Sequence, residues 1–401
     1  MRFMGSMSIV NCRVFDGEAG ELRDGPVHVV DGRITAVGDA AAPAGEVLDA
    51  HGGTVVPGLI DAHFHAYGIG LDMVGIESRP PTYVALAGAR RLAAALERGF
   101  TTVRDVAGGD PGLAAAIDEG LLPSPRYLYT GAALSQTGGH GDPRPAETDL
   151  CGCHAHMNEV VDGVDALRLA VRDRFRRGAH AIKIMASGGV VSPTDPIRVP
   201  QYSAEEIRAV TEEATRRGSY VAAHAYSPEA IRHAVENGVR SVEHGNLVDR
   251  PTAELMAERG AFLVPTLATY DAMDRRGTEV GLSATGQGKN REVLDAGREA
   301  VRLARAAGVR IGFGTDLMGA LEDEQLEGLR LQTEVEGVLP ALRAATSVNA
   351  DLLGRPDLGR VAPGCAGDLL VLDGDPLQDP DLVWTQGQGR KVIQNGRLLT
   401  P

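Results

Sequence analysis

The sequence is short of aromatic residues, cysteine and long apolar runs, and each shortage argues against a class of protein. Only 4% of the 401 residues are aromatic, so the core must be built mainly from aliphatic side chains. The four cysteines, Cys12, Cys151, Cys153 and Cys365, are too few and too scattered for a disulfide framework. No apolar run approaches the roughly 18 residues that span a bilayer. We therefore expect reduced thiols and no membrane partner.

The sequence also lacks a surplus of positive charge. It has 40 Lys and Arg residues against 54 Asp and Glu residues, which gives a formal net charge of −14. Nucleic acids and anionic membranes need a basic face, so both are disfavoured as partners. Residues 1–7 lack the apolar core of a signal peptide. These features, with an apolar content of 43% for a large core, predict a cytoplasmic enzyme that acts on a small molecule.

The middle of the chain alternates apolar strands with helical patterns. Eight strands are predicted, over residues 54–60, 101–106, 126–130, 181–186, 220–225, 241–243, 262–266 and 311–314. Helices are predicted between them, over residues 83–98, 161–177, 204–217, 228–237, 252–258 and 291–307. Many of these helices end at a glycine, the residue that most readily closes a helix: Gly99, Gly178, Gly218, Gly238, Gly260 and Gly308.

This alternation predicts an α/β fold, a (β/α)8 TIM barrel over residues 58–359. An open doubly wound sheet is the alternative, but it gives no reason for polar residues at the C-terminal ends of nearly all the strands. Both ends of the chain read as short strands with turns, and Asp31-Gly32 is a strong hairpin signal. Neither end has enough strands to bury a face alone. We therefore predict a small β-sandwich domain formed by residues 1–57 and 360–401.

Potential metal ligands lie at the ends of the predicted strands. The first strand is followed by His63 and His65, which alternate along an extended chain and so face the same side. Later strands carry the rest of the set, which is Lys183, His224, His244 and Asp316. In a barrel all six positions converge at one mouth. Four imidazoles with a carboxylate suit a divalent ion such as zinc.

Lys183 is the least expected member of this set, because it lies inside an apolar strand without a neighbouring carboxylate. Burial of an ammonium is costly and can shift its pKa by up to 3–5 units. One resolution is a carbamate formed with carbon dioxide, an anion whose two oxygens can bridge two cations. The other is a structural ion pair with a distant acid such as Glu243. With the carbamate, the site predicts two zinc ions, a shared hydroxide that attacks a polarised carbonyl, and Asp316 as general base and acid.

The ordered set of ligands resembles the amidohydrolase superfamily with a binuclear metal centre, over nearly the whole chain. Within it the chain is similar to imidazolonepropionase-like proteins described as prolidases, through residues 138–142, 182–189 and 224–226. True imidazolonepropionases look mononuclear and lack the bridging lysine. The resemblance implies that His63, His65 and Asp316 hold one metal, that His224 and His244 hold the other, and that carboxylated Lys183 bridges the two. It also implies that His140 polarises the scissile carbonyl and that Tyr226 contacts the substrate.

The sequence thus predicts a binuclear amidohydrolase that cleaves a peptide or N-acyl amide bond, in an Xaa-Pro-type dipeptide or an N-acyl amino acid. Arg198 is a candidate, with Tyr226, for holding a substrate carboxylate. The resemblance also implies a homo-oligomer. Two alternatives stay open: a hydrolase of a lactone, an organophosphate or a mycotoxin-like amide at the same site, and a non-catalytic assembly protein on the same barrel. Two interpretations without a catalytic role also stay open: His140 as a solvent-exposed loop residue, and Tyr226 as a packing residue.

Overall fold

Short strands separated by turns begin the chain. A computed structural model describes residues 5–38, 45–144, 156–192, 195–387 and 389–399. Its N-terminal strands are β1 (Ser6–Val10), β2 (Arg13–Val14), β3 (Arg23–Asp24), β4 (Val27–Val30), β5 (Arg33–Val37), β6 (Glu46–Asp49) and β7 (Thr54–Pro57). The predicted hairpin is confirmed, because β4 and β5 pair antiparallel around Asp31 and Gly32, whose φ angles are 51° and 75°.

The middle of the chain supplies parallel strands. They are β8 (Leu59–Phe64), β9 (Phe100–Asp105), β10 (Arg126–Tyr129), β11 (Ala133–Ser135), β12 (Asn158–Val160), β13 (Ile182–Met185), β14 (Val221–Ala225), β15 (Ser241–His244), β16 (Phe262–Val264) and β17 (Arg310–Ile311). One parallel sheet has the order β10-β9-β8, and a second has the order β12-β11-β13-β14-β15-β16-β17. Every residue of β8, β9, β13, β14 and β15 is buried, as expected for parallel strands covered on both faces.

Helices follow most of these strands. They are α1 (Met73–Glu77), α2 (Pro81–Glu97), α3 (Pro111–Asp118), α4 (Val164–Arg176), α5 (Ala204–Arg216), α6 (Pro228–Glu236), α7 (Arg250–Glu258), α8 (Leu267–Arg276), α9 (Ala284–Ala306), α10 (Gln325–Glu336), α11 (Val338–Arg343), α12 (Asn349–Leu352) and α13 (Asp381–Trp384), with a 3₁₀ helix over Gly319–Glu324 and a π-helix over Ala344–Val348. All six predicted capping glycines have φ between 65° and 95°. No helix among the described residues is long and apolar enough to cross a membrane.

The predicted first strand, residues 54–60, proves to be two strands in different sheets. β7 pairs antiparallel with β18 (Leu369–Leu372), whereas β8 pairs parallel with β9. Gly58 joins them, and a Cβ at this position would lie only 2.1 Å from Thr101 Oγ1. The prediction of a single strand was wrong because an apolar run carries no mark of where its hydrogen-bonding partner changes.

The two ends of the chain share a sheet. β18 pairs with β19 (Arg390–Gln394), which pairs with β20 (Arg397–Leu398), and the full order is β20-β19-β18-β7-β2-β3. A second sheet, β5-β4-β1-β6, contributes to the same buried cluster as this one, through residues such as Ile9, Val29 and Val371. Pairing between the two ends agrees with the expected terminal unit. The β-sandwich arrangement and the domain boundaries stay predictions.

Backbone hydrogen bonds also connect the first parallel strand with the segment that follows the last one. Ala62 N–H donates to Phe313 O at 3.0 Å, and Asp316 N–H donates to His63 O at 2.8 Å. These bonds place Asp316 beside the end of β8. The α/β fold with parallel sheets is confirmed, and the closed eight-stranded barrel stays a prediction.

Candidate metal centre and active site

One cavity is lined by all six predicted ligands, which lie in or just after strands β8, β13, β14, β15 and β17: His63, His65, Lys183, His224, His244 and Asp316. His140 and Tyr226 line the same cavity. Residues separated by about 250 positions in the chain therefore meet because parallel strands place their C-terminal ends together.

Asp316 is the centre of the cluster. Its Oδ1 lies 2.8 Å from His65 Nε2 and 3.4 Å from His63 Nε2, and its Oδ2 lies 3.9 Å from His244 Nδ1. Burial alone would raise the pKa of this carboxyl, but His63 and His65 hold the pKa well below its usual range. Asp316 is therefore an anion at neutral pH, the form that binds a cation or accepts a proton.

Two of the clustered residues have unusual backbone conformations. His244 has φ 73° and Asp316 has φ 54°, in the left-handed region that non-glycine residues rarely adopt. Next to Asp316, Thr315 donates its backbone N–H and its hydroxyl to the buried carboxylate of Asp61, at 3.1 and 2.6 Å. Strained conformations of this kind persist only where the surrounding structure fixes them, and they are concentrated at functional sites.

A buried chain of charges orients His63. Its Nδ1 lies 2.7 Å from Glu243 Oε2, and Arg104 donates from Nη2 to both oxygens of Glu243 at 2.8 and 2.9 Å. Burial would raise the pKa of Glu243, but Arg104 and His63 hold it well below its usual range. The ionised carboxylate fixes the His63 ring so that Nε2 faces Asp316. Metal-binding histidines are commonly oriented in this way, by a carboxylate that holds the ring nitrogen facing away from the metal.

The other two strand histidines are also held by one nitrogen each. His224 Nε2 lies 3.1 Å from Gly188 O, and His244 Nδ1 lies 2.7 Å from Thr266 Oγ1. Burial is the largest cause that lowers the pKa of both rings well below the ordinary value. Both are therefore neutral near pH 7, with the second nitrogen of each available as a ligand.

Lys183 is buried, with only 2% of the residue exposed, and it lines the cavity. Burial lowers the pKa of its ammonium to about 8, against the opposing fields of Glu243 and Asp316. Among the described residues, Lys183 and Glu243 do not form an ion pair. The carboxylate of Glu243 pairs with Arg104 and His63 instead. The structural ion pair considered for this lysine thus has no support.

The geometry of the cluster fits a metal ion. Ligand atoms of His63, His244 and Asp316 all lie within 4.8 Å of one another. His65 faces Asp316 Oδ1 through Nε2, so this nitrogen also lies with the ligand atoms of the cluster. The group of His63, His244 and Asp316 differs from the one that the resemblance implies, in which His63, His65 and Asp316 hold one ion.

His140 approaches the cluster from the loop after β11. Its ring stacks on that of His224, with centroids 4.2 Å apart, and its Nδ1 lies 2.7 Å from Ser192 Oγ. Ser192 in turn hydrogen-bonds Asp195, whose carboxylate lies 3.7 Å from His140 Nδ1. Burial lowers the pKa of His140. The Nε2 atom of the neutral ring is therefore available to a ligand. His140 is not a solvent-exposed loop residue, which was the alternative interpretation.

Lys289 on α9 holds the loop that carries these partners of His140. Its Nζ donates to the carbonyl oxygens of Gly189, Ser192 and Asp195 at 3.0, 2.7 and 2.7 Å. Tyr226 stacks on His244, with ring centroids 5.1 Å apart, and its hydroxyl lies 2.7 Å from that of Tyr270. Tyr226 therefore borders the cavity and also packs on His244, one of the predicted ligands.

Arg198 is the one candidate that the structure does not bring to the site. It is not among the lining residues of the cavity, and its Nε donates to Glu292 Oε1 at 3.0 Å on the exposed surface. The proposal that Arg198 binds a substrate carboxylate therefore has no support. Cys151 and Cys153 lie outside the described residues.

Residues 54–399 match the model of the amidohydrolase family. The chain belongs to the amidohydrolase family. It is accordingly an enzyme, a hydrolase acting on C–N bonds, as the ordered ligand set predicted.

Three proteins illustrate the likeness. The ochratoxinase of Aspergillus niger is 34% identical over 411 residues, which cover 96% of this chain and 84% of that enzyme. A solved prolidase complexed with N-methylphosphonate-L-proline is 43% identical, with a TM-score of 0.94 and coverage of 98% of this amidohydrolase and 99% of that chain. A solved Xaa-Pro dipeptidase with bound methionine is 27% identical, with a TM-score of 0.87 and coverage of 99% and 100%.

Sequence reasoning missed the residues that support the cluster in this amidohydrolase. Arg104 carries the same signal as Lys183, a charged residue inside an apolar strand, and could have been found by it. Thr266, Tyr270 and Lys289 carry no such signal, because their roles depend on partners that only the folded chain reveals.

Proposed function

We propose that this amidohydrolase is a binuclear metal-dependent enzyme that cleaves a peptide or N-acyl amide bond, in an Xaa-Pro-type dipeptide or an N-acyl amino acid. The observation that carries the proposal is the buried cluster around Asp316, with Lys183 lining the same cavity. The prolidase and dipeptidase among its structural relatives support the class of substrate.

The residues that would hold the ions are His63, His65, His224, His244 and Asp316, with Lys183 between them. Lys183 fits the bridging role because an amine with a pKa of about 8 is partly neutral near pH 7, the form that reacts with carbon dioxide. The product is a carbamate and a released proton. Nitrogen and oxygen ligands of this kind favour zinc. When bound, such ions would supply Lewis-acid chemistry, lowering the pKa of a water in the site and polarising the amide carbonyl.

Asp316 is the group that moves the proton. Its low pKa keeps it ionised, and we assign this carboxylate to accept the proton of the attacking water. The water oxygen forms a bond to the carbonyl carbon, the C–N bond breaks, and Asp316 returns the proton to the leaving nitrogen. His140, with Nδ1 held by Ser192, would polarise the substrate carbonyl through an N–H donor at Nε2. Tyr226 borders the substrate.

Substitution of the two central residues tests this mechanism. Asp316→Ala should lower kcat for an Xaa-Pro dipeptide by about 10²–10⁴-fold or more, the usual contribution of general acid–base catalysis, and Lys183→Ala should abolish turnover because it removes the proposed bridging ligand. Matched controls are Asp323→Ala, at an exposed position, and Lys391→Ala in β19. Circular dichroism should show the fold of every variant intact. Turnover near that of the unmodified enzyme in either site variant would contradict the mechanism.

The likeness to ochratoxinase favours one second candidate, a mycotoxin-like amide. The same residues would serve it, since the scissile bond is again a C–N bond. Rates on ochratoxin, Xaa-Pro dipeptides and N-acyl prolines, measured side by side with one zinc-loaded preparation, separate the two candidates. With either substrate class, we propose that the protein is a homo-oligomer. Sedimentation velocity measures its oligomeric state directly.

A further inference from the structure

Beyond the ionisable cluster, the wall of the cavity is rich in methionine. Five of the nine methionines of the chain line this one cavity and form what we name the thioether wall: Met73, Met157, Met185, Met273 and Met318. They come from α1, the segment before β12, the end of β13, α8 and the loop after Asp316. Because no single element supplies them, the enrichment is a property of the cavity.

The thioether wall is well packed. Met157, Met185, Met273 and Met318 are between 2% and 8% exposed, and they belong to the main hydrophobic cluster of the protein. Met73, at the first position of α1, packs against this cluster from the outside. Ala107, Val190 and Val191 also line the cavity and extend its apolar surface. A substrate group that enters this space therefore contacts carbon and sulfur.

Charged groups in the cavity are confined to the catalytic cluster. Among the described residues, the lining side chains that ionise near neutral pH belong to the six proposed ligands and His140, and the phenols of Tyr226 and Tyr270, whose pKa values are raised by burial, are neutral. Away from them the polar lining includes Asn158 and Thr269, which are uncharged. A charged substituent that lay against the thioether wall would lose its water and gain no partner, which is strongly unfavourable.

Methionine also determines how strictly shape is recognised. Its side chain is unbranched, has three rotatable bonds and a polarisable sulfur, and so adapts to groups of different outline. Methionine-rich surfaces are typical of binding sites that accept many partners. A wall of five such side chains, supplied by five segments, can rearrange around straight, branched or aromatic groups.

We propose that the thioether wall selects amide substrates with a bulky, uncharged apolar substituent beside the scissile bond, and accepts that substituent in more than one shape. This inference rests on the proposed amide hydrolysis and adds the class of substituent. The wall would reject substituents of equal length that end in a carboxylate or an ammonium group.

Two homologous series of substrates test the proposal with the zinc-loaded enzyme. One series varies the acyl group of N-acyl-L-prolines from acetyl to hexanoyl, with benzoyl and glutaryl members. The other varies the amino acid of N-acetyl amino acids from alanine to norleucine, with phenylalanine and glutamate members. Burial of a methylene contributes about 0.8 kcal/mol, so kcat/KM should rise about fourfold per methylene in at least one series. In that series the aromatic member should be accepted and the anionic member should be at least tenfold worse than its apolar counterpart.

Variants of the wall connect the selectivity to its residues. Met273→Gln introduces a polar group of similar length and should reduce the ratio of kcat/KM between the longest and shortest members several-fold. Met273→Leu keeps the apolar character but stiffens the side chain, so it should keep the ratio for straight chains and reduce acceptance of the aromatic member. Met256→Leu, in α7 outside the cavity, is the matched control and should leave all ratios unchanged. Circular dichroism and metal content verify the fold of each variant.

The outcomes for the two proposals can be distinguished. Hydrolysis without any dependence on chain length or charge would overturn the selectivity of the wall and leave amide hydrolysis standing. If no amide is cleaved, the same series is measured as ketomethylene analogues by calorimetry. A dissociation constant that falls with chain length then supports the wall although the function fails, and a flat series overturns both.

Discussion

At the scale of single residues, the candidate site depends on how buried charges are paired. Arg104 and Glu243 are fully buried, and they satisfy each other while Glu243 also orients His63. Arg104 Nε donates further to Ala62 O at 2.5 Å, in the strand that carries His63. Removal of one partner from such a pair leaves a buried charge without compensation, which typically costs about 3–5 kcal/mol. Catalytic geometry and folding stability therefore share these residues.

Glu243→Gln tests the orienting role. The amide is neutral and holds His63 less firmly, so we expect zinc affinity to fall by about 10–100-fold, as is typical for residues that orient metal ligands. Competition with a chromophoric chelator measures this affinity. Glu236→Gln, at an exposed position in α6, is the control. Unchanged affinity in Glu243→Gln would show that His63 is fixed by other contacts.

A site residue could be predicted where the sequence itself marks it as unusual for its position. The proposed ligands are unusual residue types at strand ends, so the sequence alone identified all six as candidates, and they line one cavity. Partners such as Glu243 and Arg104 lie 139 positions apart, and no pattern joins them. Arg198 was proposed from charge alone, and its exposed pairing with Glu292 could not be read from the sequence.

At the scale of elements, one helix joins the two loops that carry His65 and Asp316. Arg91, buried on α2, donates from Nε to His65 O at 3.2 Å, from Nη2 to Leu317 O at 2.7 Å and from Nη1 to Gly319 O at 2.9 Å. Nη1 also lies 2.8 Å from Glu322 Oε2. One guanidinium thus fixes the spacing between the segment after β8 and the segment after β17.

Arg91→Met tests this connection. The variant leaves three carbonyl groups without their donor and Glu322 without its ion-pair partner, so we expect the free energy of unfolding to fall by about 3 kcal/mol. Urea denaturation followed by circular dichroism measures the change. Arg90→Met, the exposed neighbour on the same helix, should change stability by less than about 0.5 kcal/mol. Equal effects from the two substitutions would contradict the role given to Arg91.

Elements were predicted well where their boundaries have a local chemical cause. The six glycines that end helices have the positive φ angles expected of them, because only glycine adopts that conformation without cost. β11 and β12 were missed because each has only three residues, too few to give a periodic pattern. The start of α9 was placed seven residues late, at residue 291, since Gly286 and Gly288 weaken the helical pattern of its first turns.

At the scale of the whole molecule, the two ends of the chain are tied to the parallel strands. Arg126 of β10 donates from Nε to Asp368 Oδ2 at 2.5 Å, and Gln394 of β19 donates from Nε2 to Ser124 O at 2.9 Å. Through Gly58, the chain passes directly from β7, in the sheet shared by both ends, into β8 in the parallel sheet. The strand that carries His63 is thus anchored on its N-terminal side by residues from the end of the sequence.

The most direct test of the account is the metal content of the purified protein, measured by mass spectrometry after growth with zinc and carbon dioxide. A site with two ions bridged by Lys183 predicts about two equivalents of divalent metal per chain. It also predicts at most one equivalent in Lys183→Ala, with no change in Lys391→Ala. Protein that holds no metal, or a Lys183→Ala variant that keeps two equivalents, would contradict the account.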